Sequence, residues 1–75
     1  VEPLLVELRK LPQLLERKRG SFSRGSRAFL HFHEDAGDFY VDARLDGAFR
    51  RARVTTGDEQ ADLLARVRQA LESTS

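Results

Sequence analysis

Residues 38–54 read DFYVDARLDGAFRRARV, and the fold turns on the Asp46-Gly47 pair in their middle. Asp-Gly between alternating apolar and polar residues is a strong hairpin signal, because a two-residue turn needs positive φ at its centre. The pair predicts a strand from Asp38 to Leu45 and a return strand from Ala48 to Thr55. It also sets their register. Leu45 lies opposite Ala48, Ala43 opposite Arg50, Val41 opposite Ala52 and Phe39 opposite Val54. On the other parity Arg44 meets Phe49, Asp42 meets Arg51 and Tyr40 meets Arg53. The first set is apolar except for Arg50, whose stem can lie along an edge with its head in water. The second holds an opposite-charge pair and an Arg–Tyr pair, each worth about 0.2–1 kcal/mol. A slip of one residue would bury Arg51 and Arg53, so this register is strongly specified.

Working outward, Arg27 to Glu34 alternates as a strand: Ala28, Leu30 and Phe32 point one way, and Phe29, His31 and His33 the other. Asp35 to Gly37 makes the turn into the next strand. Ser21 to Arg24 is a short edge strand carrying Phe22, and Arg24-Gly25-Ser26 has turn chemistry. Gln13 to Arg19 is ambiguous, since Leu14 and Leu15 suit either a helix or a strand. Before it, Leu4, Leu5, Leu8 and Leu11 recur at helical spacing over Glu2 to Leu11, with Pro3 in the first turn and Pro12 as the stop. After the hairpin, Thr56 and Glu59 form a capping box for a helix reaching about Glu72, striped by Leu63, Leu64, Val67, Ala70 and Leu71. Ser73-Thr74-Ser75 is a frayed end.

These elements make a single α+β domain over residues 1–75. Its expected form is two layers: an antiparallel sheet of three or four strands with the N- and C-terminal helices packed on one face. The chain has 75 residues, 40% of them hydrophobic and 33% charged, which is too apolar and too patterned for disorder. It lacks Cys, so disulfides and thiolate metal sites are excluded. No apolar run approaches the ~18 residues of a membrane span, and no basic-then-apolar signal opens the chain. A cytoplasmic protein without a membrane partner is expected.

The helices would leave one sheet face open, carrying Phe29, His31, His33, Tyr40, Asp42, Arg44, Phe49, Arg51 and Arg53. Aromatic rings mixed with Arg can stack bases and contact phosphates. Five basic residues without an acid between them, Arg17, Lys18, Arg19, Arg24 and Arg27, would add electrostatic reach. The same composition suits a homodimer or protein interface, or a plain solvated face. His31 and His33 stand about 7 Å apart along one strand face and could share a metal or small ligand, with Asp42 or Asp38 as a third donor. The hydroxyl-rich segment from Ser21 to Ser26, close to Arg, reads as a phosphate cradle or, more simply, as a hairpin tip.

Enzymatic readings lack parts. There is no Cys nucleophile, no Gly-rich phosphate loop after a strand and no Ser elbow motif. His31 or His33 with Asp42 could be a base and its orienter, but no nucleophile stands beside them. No catalytic residue, resident metal or cofactor is therefore expected. The expected function is non-enzymatic binding of a macromolecule, nucleic acid or protein, through His31, His33, Tyr40, Arg44, Arg51 and Arg53. Homodimerisation and a metal or small-ligand site at His31 and His33 are the alternatives.

The order of signals carries a resemblance. A Leu-rich helix ends at Leu11-Pro12, a Gly/Ser/Phe strand follows at Gly20 to Arg24, and Arg27-Ala28-Phe29-Leu30-His31-Phe32-His33 leads to an acidic turn, a hairpin and a last amphipathic helix. This resembles small bacterial α+β domains of the MmcQ/YjbR-like kind and the TfoX N-terminal domain. The aromatic-His strand is similar to domains labelled luciferase-like. The resemblance implies a compact sheet-and-helix module, described in some members as DNA-binding by fold analogy. The Gly-Lys-Phe strand start of that pattern appears here as Ser26-Arg27-Ala28-Phe29, and the closing region is shorter. The resemblance assigns no functional residue.

Overall fold

The structure is a computed structural model and describes residues 1–73. Helix α1 spans Glu2–Arg9, and five strands follow: β1 Leu14–Lys18, β2 Ser21–Arg24, β3 Arg27–Asp35, β4 Asp38–Ala43 and β5 Arg50–Arg53. Helix α2 spans Gly57–Ser73. The strands form one antiparallel sheet in chain order, β1-β2-β3-β4-β5. The α+β class and the antiparallel sheet are as expected. The count of three or four strands is corrected to five, because the ambiguous segment after Pro12 is β1, pairing with β2 as Leu14↔Arg24 and Glu16↔Phe22. Of the expected frayed end, Ser73 closes α2 in the backbone, while Thr74 and Ser75 lie outside the described residues.

Helix α1 stops earlier than expected, at Arg9 rather than Leu11. Lys10 and Leu11 close it with i→i−3 hydrogen bonds to the carbonyls of Glu7 and Leu8. Pro12 disfavours further helical backbone at Leu11, and Leu14 already donates to the Leu11 carbonyl as the chain enters β1. Helix α2 starts as its capping box predicts. The Glu59 amide donates to Thr56 Oγ1 at 3.1 Å, and Glu59 Oε1 accepts from the Thr56 amide at 3.0 Å.

The β4–β5 register is the one set by parity: Tyr40↔Arg53, Val41↔Ala52, Asp42↔Arg51 and Ala43↔Arg50. Beyond it the Val54 amide donates to the Phe39 carbonyl at 2.8 Å, in the same phase. The turn differs. The strands end at Ala43 and Arg50, so residues 44–49 are a loop rather than a tight Asp-Gly hairpin. Its polar groups find other partners. The Arg44 amide donates to the Phe29 carbonyl on β3, and the Asp46 carboxylate accepts from Arg50 Nε at 3.0 Å. The tight two-residue turn lies instead between β3 and β4, where Asp35 pairs with Asp38 and Ala36 and Gly37 have φ of 54° and 84°.

One core cluster joins Leu4, Leu5 and Leu8 of α1, Leu63, Val67 and Leu71 of α2, and Leu14, Phe22, Phe29, Leu30, Val41, Ala43 and Val54 from the sheet and its borders. Burying a Leu or Val side chain fully stabilises by about 1.5–3 kcal/mol, which is where the energy of both helices resides. Phe29 is the unexpected member. Alternation assigns it to the same side as His31, yet it is 5% exposed, while Ala28, expected inward, is exposed. The reason is a β-bulge. Phe22 pairs with Leu30 but Ser23 pairs with Ala28, so β3 has one extra residue opposite β2. The phase shift leaves the neighbours Phe29 and Leu30 both in the core. Removing the ring therefore has a large effect: Phe29→Ala is expected to lose about 3–5 kcal/mol in urea denaturation, and Ala28→Ser to stay within about 0.5 kcal/mol. Equal effects at the two positions would contradict the bulge.

Candidate binding face

Strand parity carries the candidate residues into two rows across β3, β4 and β5. His31 lies opposite Asp42, which lies opposite Arg51; His33 lies opposite Tyr40, which lies opposite Arg53. Their parity is opposite to that of Leu30, Val41 and Ala43, and we refer to this side as the outer face. The structure brings five of the six expected contact residues together in these rows. The imidazoles of His31 and His33 stack with centroids 6.0 Å apart, and the Tyr40 ring is 6.1 Å from that of His33. Arg44, the sixth, sits apart in the 44–49 loop, its guanidinium carbon 4.4 Å from the centre of the Phe49 ring. Its Nε is buried without a hydrogen-bond partner, so the ring is what the cation faces. Phe29, expected beside these residues, is in the core instead.

Most of the charge in these rows is already matched. Arg51 Nε donates to Asp42 Oδ1 at 3.0 Å. Arg53 reaches Asp38 at 3.0 Å through one terminal nitrogen and Glu59 at 2.8 Å through the other. His33 Nε2 stands 3.5 Å from Asp42 Oδ2 without forming a hydrogen bond. The Arg51 hydrogen bond, assisted by its charge and by the two imidazoles, holds the Asp42 carboxyl below the usual carboxylate range against the opposing effect of partial desolvation. The Asp38 carboxyl is lowered in the same way, chiefly by Arg53.

The β1–β2 side is different. Arg17 Nε donates to Ser23 Oγ at 3.0 Å, and Ser23 is 6% exposed. Ser21 Oγ lies 3.0 Å from His31 Nδ1. Among the described residues Arg17, Lys18 and Arg27 have no carboxylate partner. Arg19 is paired with Glu2, and Glu16 is turned toward α1, where Arg9 donates to both of its oxygens at 2.7 and 3.1 Å. Glu16 Oε2 also accepts from the Gly20 amide. Sequence reasoning misses the grouping of Arg17, Ser21 and Ser23. Its signal is the basic run combined with alternating hydroxyls, which has no orientation until β1 is known to be a strand.

Among the described residues no group of three or more His, Asp and Glu converges to hold a metal ion. A cleft of about 230 Å³ between the 44–49 loop, β5 and α2 has Arg50 and Arg66 at its rim, each tied to an acid, Asp46 and Asp62. Among the described residues no helix is long and apolar enough to cross a membrane. Comparison with family models, with curated proteins and with solved structures finds no match to this chain.

The lowered carboxyls fix a pH dependence. A carboxylate whose pKa is depressed by folding contributes stability above its unfolded value, and that contribution is lost as pH falls through the folded value. The urea midpoint is expected to be flat from pH ~7 to ~5 and to fall below pH ~4. Asp42→Asn should remove part of that fall, the effect being small because the pair is largely solvated. An Asp42→Asn protein with the parent's full acid slope would show that the Arg51 pair does not contribute.

Proposed function

We propose that this domain is a non-enzymatic binding module that takes a macromolecular ligand on the outer face of its sheet. In this reading the molecule has two layers, with both helices on the Leu30–Val41 side and the outer face open. The observation that carries it is the double row His31–Asp42–Arg51 and His33–Tyr40–Arg53, which sets imidazole, phenol and guanidinium groups side by side away from the core residues. Single-stranded nucleic acid fits this composition. Rings of this kind stack bases with little regard to sequence, and cations beside them follow the phosphates. Arg17, Lys18 and Arg27 supply cations that no acid among the described residues neutralises.

A protein partner, including a second copy of the chain, is the second reading. It is favoured by the ion pairing of Arg51 and Arg53, which would have to be broken or shared to hold phosphate, and by Leu15 and Phe49, 54% and 44% exposed. Arg and aromatic side chains are enriched at such interfaces. The likeness to MmcQ/YjbR-like and luciferase-like domains adds no residue to either reading, since a fold does not carry its ligand.

Titration with an oligothymidylate at several salt concentrations separates the two. Nucleic-acid binding predicts an affinity that falls with salt. The Arg51→Gln/Arg53→Gln protein should show a slope smaller by about 0.7 for each phosphate it no longer neutralises. Asp42→Asn, which releases Arg51, should bind tighter than the parent. An affinity that ignores salt and both sets of substitutions, together with a mass that rises with concentration in sedimentation, would replace nucleic acid by self-association.

A further inference from the structure

The outer face has a hollow over β2 and the start of β3, a depression of about 290 Å³ whose floor includes Phe22, Ala28 and Leu30 and whose polar wall is Arg17, Ser21, Ser23, Ser26 and His31. It exists because of the bulge. The bulky side chain of this part of β3, Phe29, belongs to the core, and the exposed position keeps only the methyl of Ala28. Three hydroxyls, one guanidinium and one imidazole border the space, and among the described residues no Asp or Glu lines it. The guanidinium is held in place. Its Nε donates to the nearly buried Ser23 Oγ, whose own proton points to the Leu15 carbonyl at 3.5 Å, so Ser23 anchors the guanidinium and leaves its two terminal nitrogens for an outside acceptor. Ser21 is aligned by His31. The acid that precedes Arg17 in the chain, Glu16, is committed to Arg9 and to the Gly20 amide.

We infer that this hollow is a phosphate-binding site, and that its ligand is a phosphodiester of a single-stranded nucleic acid crossing the sheet. A tetrahedral oxyanion needs several short donors converging on a cation, and the hydroxyls of Ser21 on β2 and Ser26 in the turn after it, with the Arg17 guanidinium from neighbouring β1, supply them. The next phosphates of the strand would pass the His31–His33 stack, where bases meet rings. The assignment rests on the nucleic-acid reading of the outer face for its polymer, but the anion site can be tested without it.

The experiment is a ¹⁵N–¹H NMR titration of the whole chain with inorganic phosphate, with chloride at matched ionic strength, and with an eight-residue oligothymidylate. Phosphate should shift the amides of Ser21, Ser23, Ala28 and His31 saturably, and chloride should not. Arg17→Gln should weaken phosphate binding at least tenfold while keeping a dispersed spectrum, and Arg17→Lys, which keeps charge without the Nε donor, should fall between. Equal shifts from chloride, no saturation, or an Arg17→Gln protein that binds like the parent would overturn the site. An oligonucleotide that shifts Tyr40 and Arg53 but leaves Ser21 to Ala28 unmoved would overturn the site and keep the nucleic-acid face. Saturable phosphate shifts with no oligonucleotide binding would keep the anion site and overturn the polymer as its source.

Discussion

The continuous ladder between β3 and β4, six pairs from Leu30↔Ala43 to Asp35↔Asp38, decides where nearly every other side chain goes. Side chains alternate along a strand, and paired residues share a side. Fixing His31 against Asp42 therefore fixes Arg51 one strand further on, and fixing Phe32 against Val41 fixes Ala52. The core cluster and the ring-and-cation rows are two consequences of one register. On its other side β3 is out of phase by one residue, and the bulge reconciles a regular β4 side with a β2 side that needs an extra position.

Electrostatics divides the outer face along the same line. On β4 and β5 the acids sit directly opposite or beside the arginines, so Arg51 and Arg53 spend their hydrogen bonds within the chain. On the β1–β2 side Glu16 is drawn to Arg9 of α1, and Glu2 of α1 pairs with Arg9 and reaches across to Arg19. Those pairs tie α1 to the β1–β2 hairpin, and they also strip carboxylates from the side where Arg17 and the serines stand. The overall charge of +1 conceals this division.

The parts of the fold legible in the sequence are those fixed by period and by caps. The parity of residues 38–54 predicts the β4–β5 register, and Thr56 with Glu59 predicts the start of α2. The failures have physical causes. Leu14 and Leu15 adjoin each other, and a pair of apolar neighbours suits a helix stripe or a strand edge equally; only pairing with Arg24 and Ser23 makes them β1. Alternation misplaces Phe29 because a bulge leaves no mark in it until the partner strand is known. The Asp46-Gly47 turn is loose because Arg44 and Asp46 satisfy their hydrogen bonds outside a tight hairpin. For the candidate face, the rows through His31, His33, Tyr40, Arg51 and Arg53 are legible from parity, whereas the grouping of Arg17 with Ser23 requires a strand that the sequence leaves undecided.

The bulge also bears on how so small a domain can hold a site at all. A chain of this length has few residues to enclose a deep pocket, since most of its apolar side chains must fill the single core. Adding Phe29 to that core strengthens it and, by the same phase shift, leaves Ala28 as the only side chain at the corresponding outer position. The hollow is thus a by-product of packing, not a cavity the core must tolerate. Refilling the outer position, for example by Ala28→Phe, would close the hollow while leaving Phe29 buried, so the site and the stability of the fold can be separated by substitution.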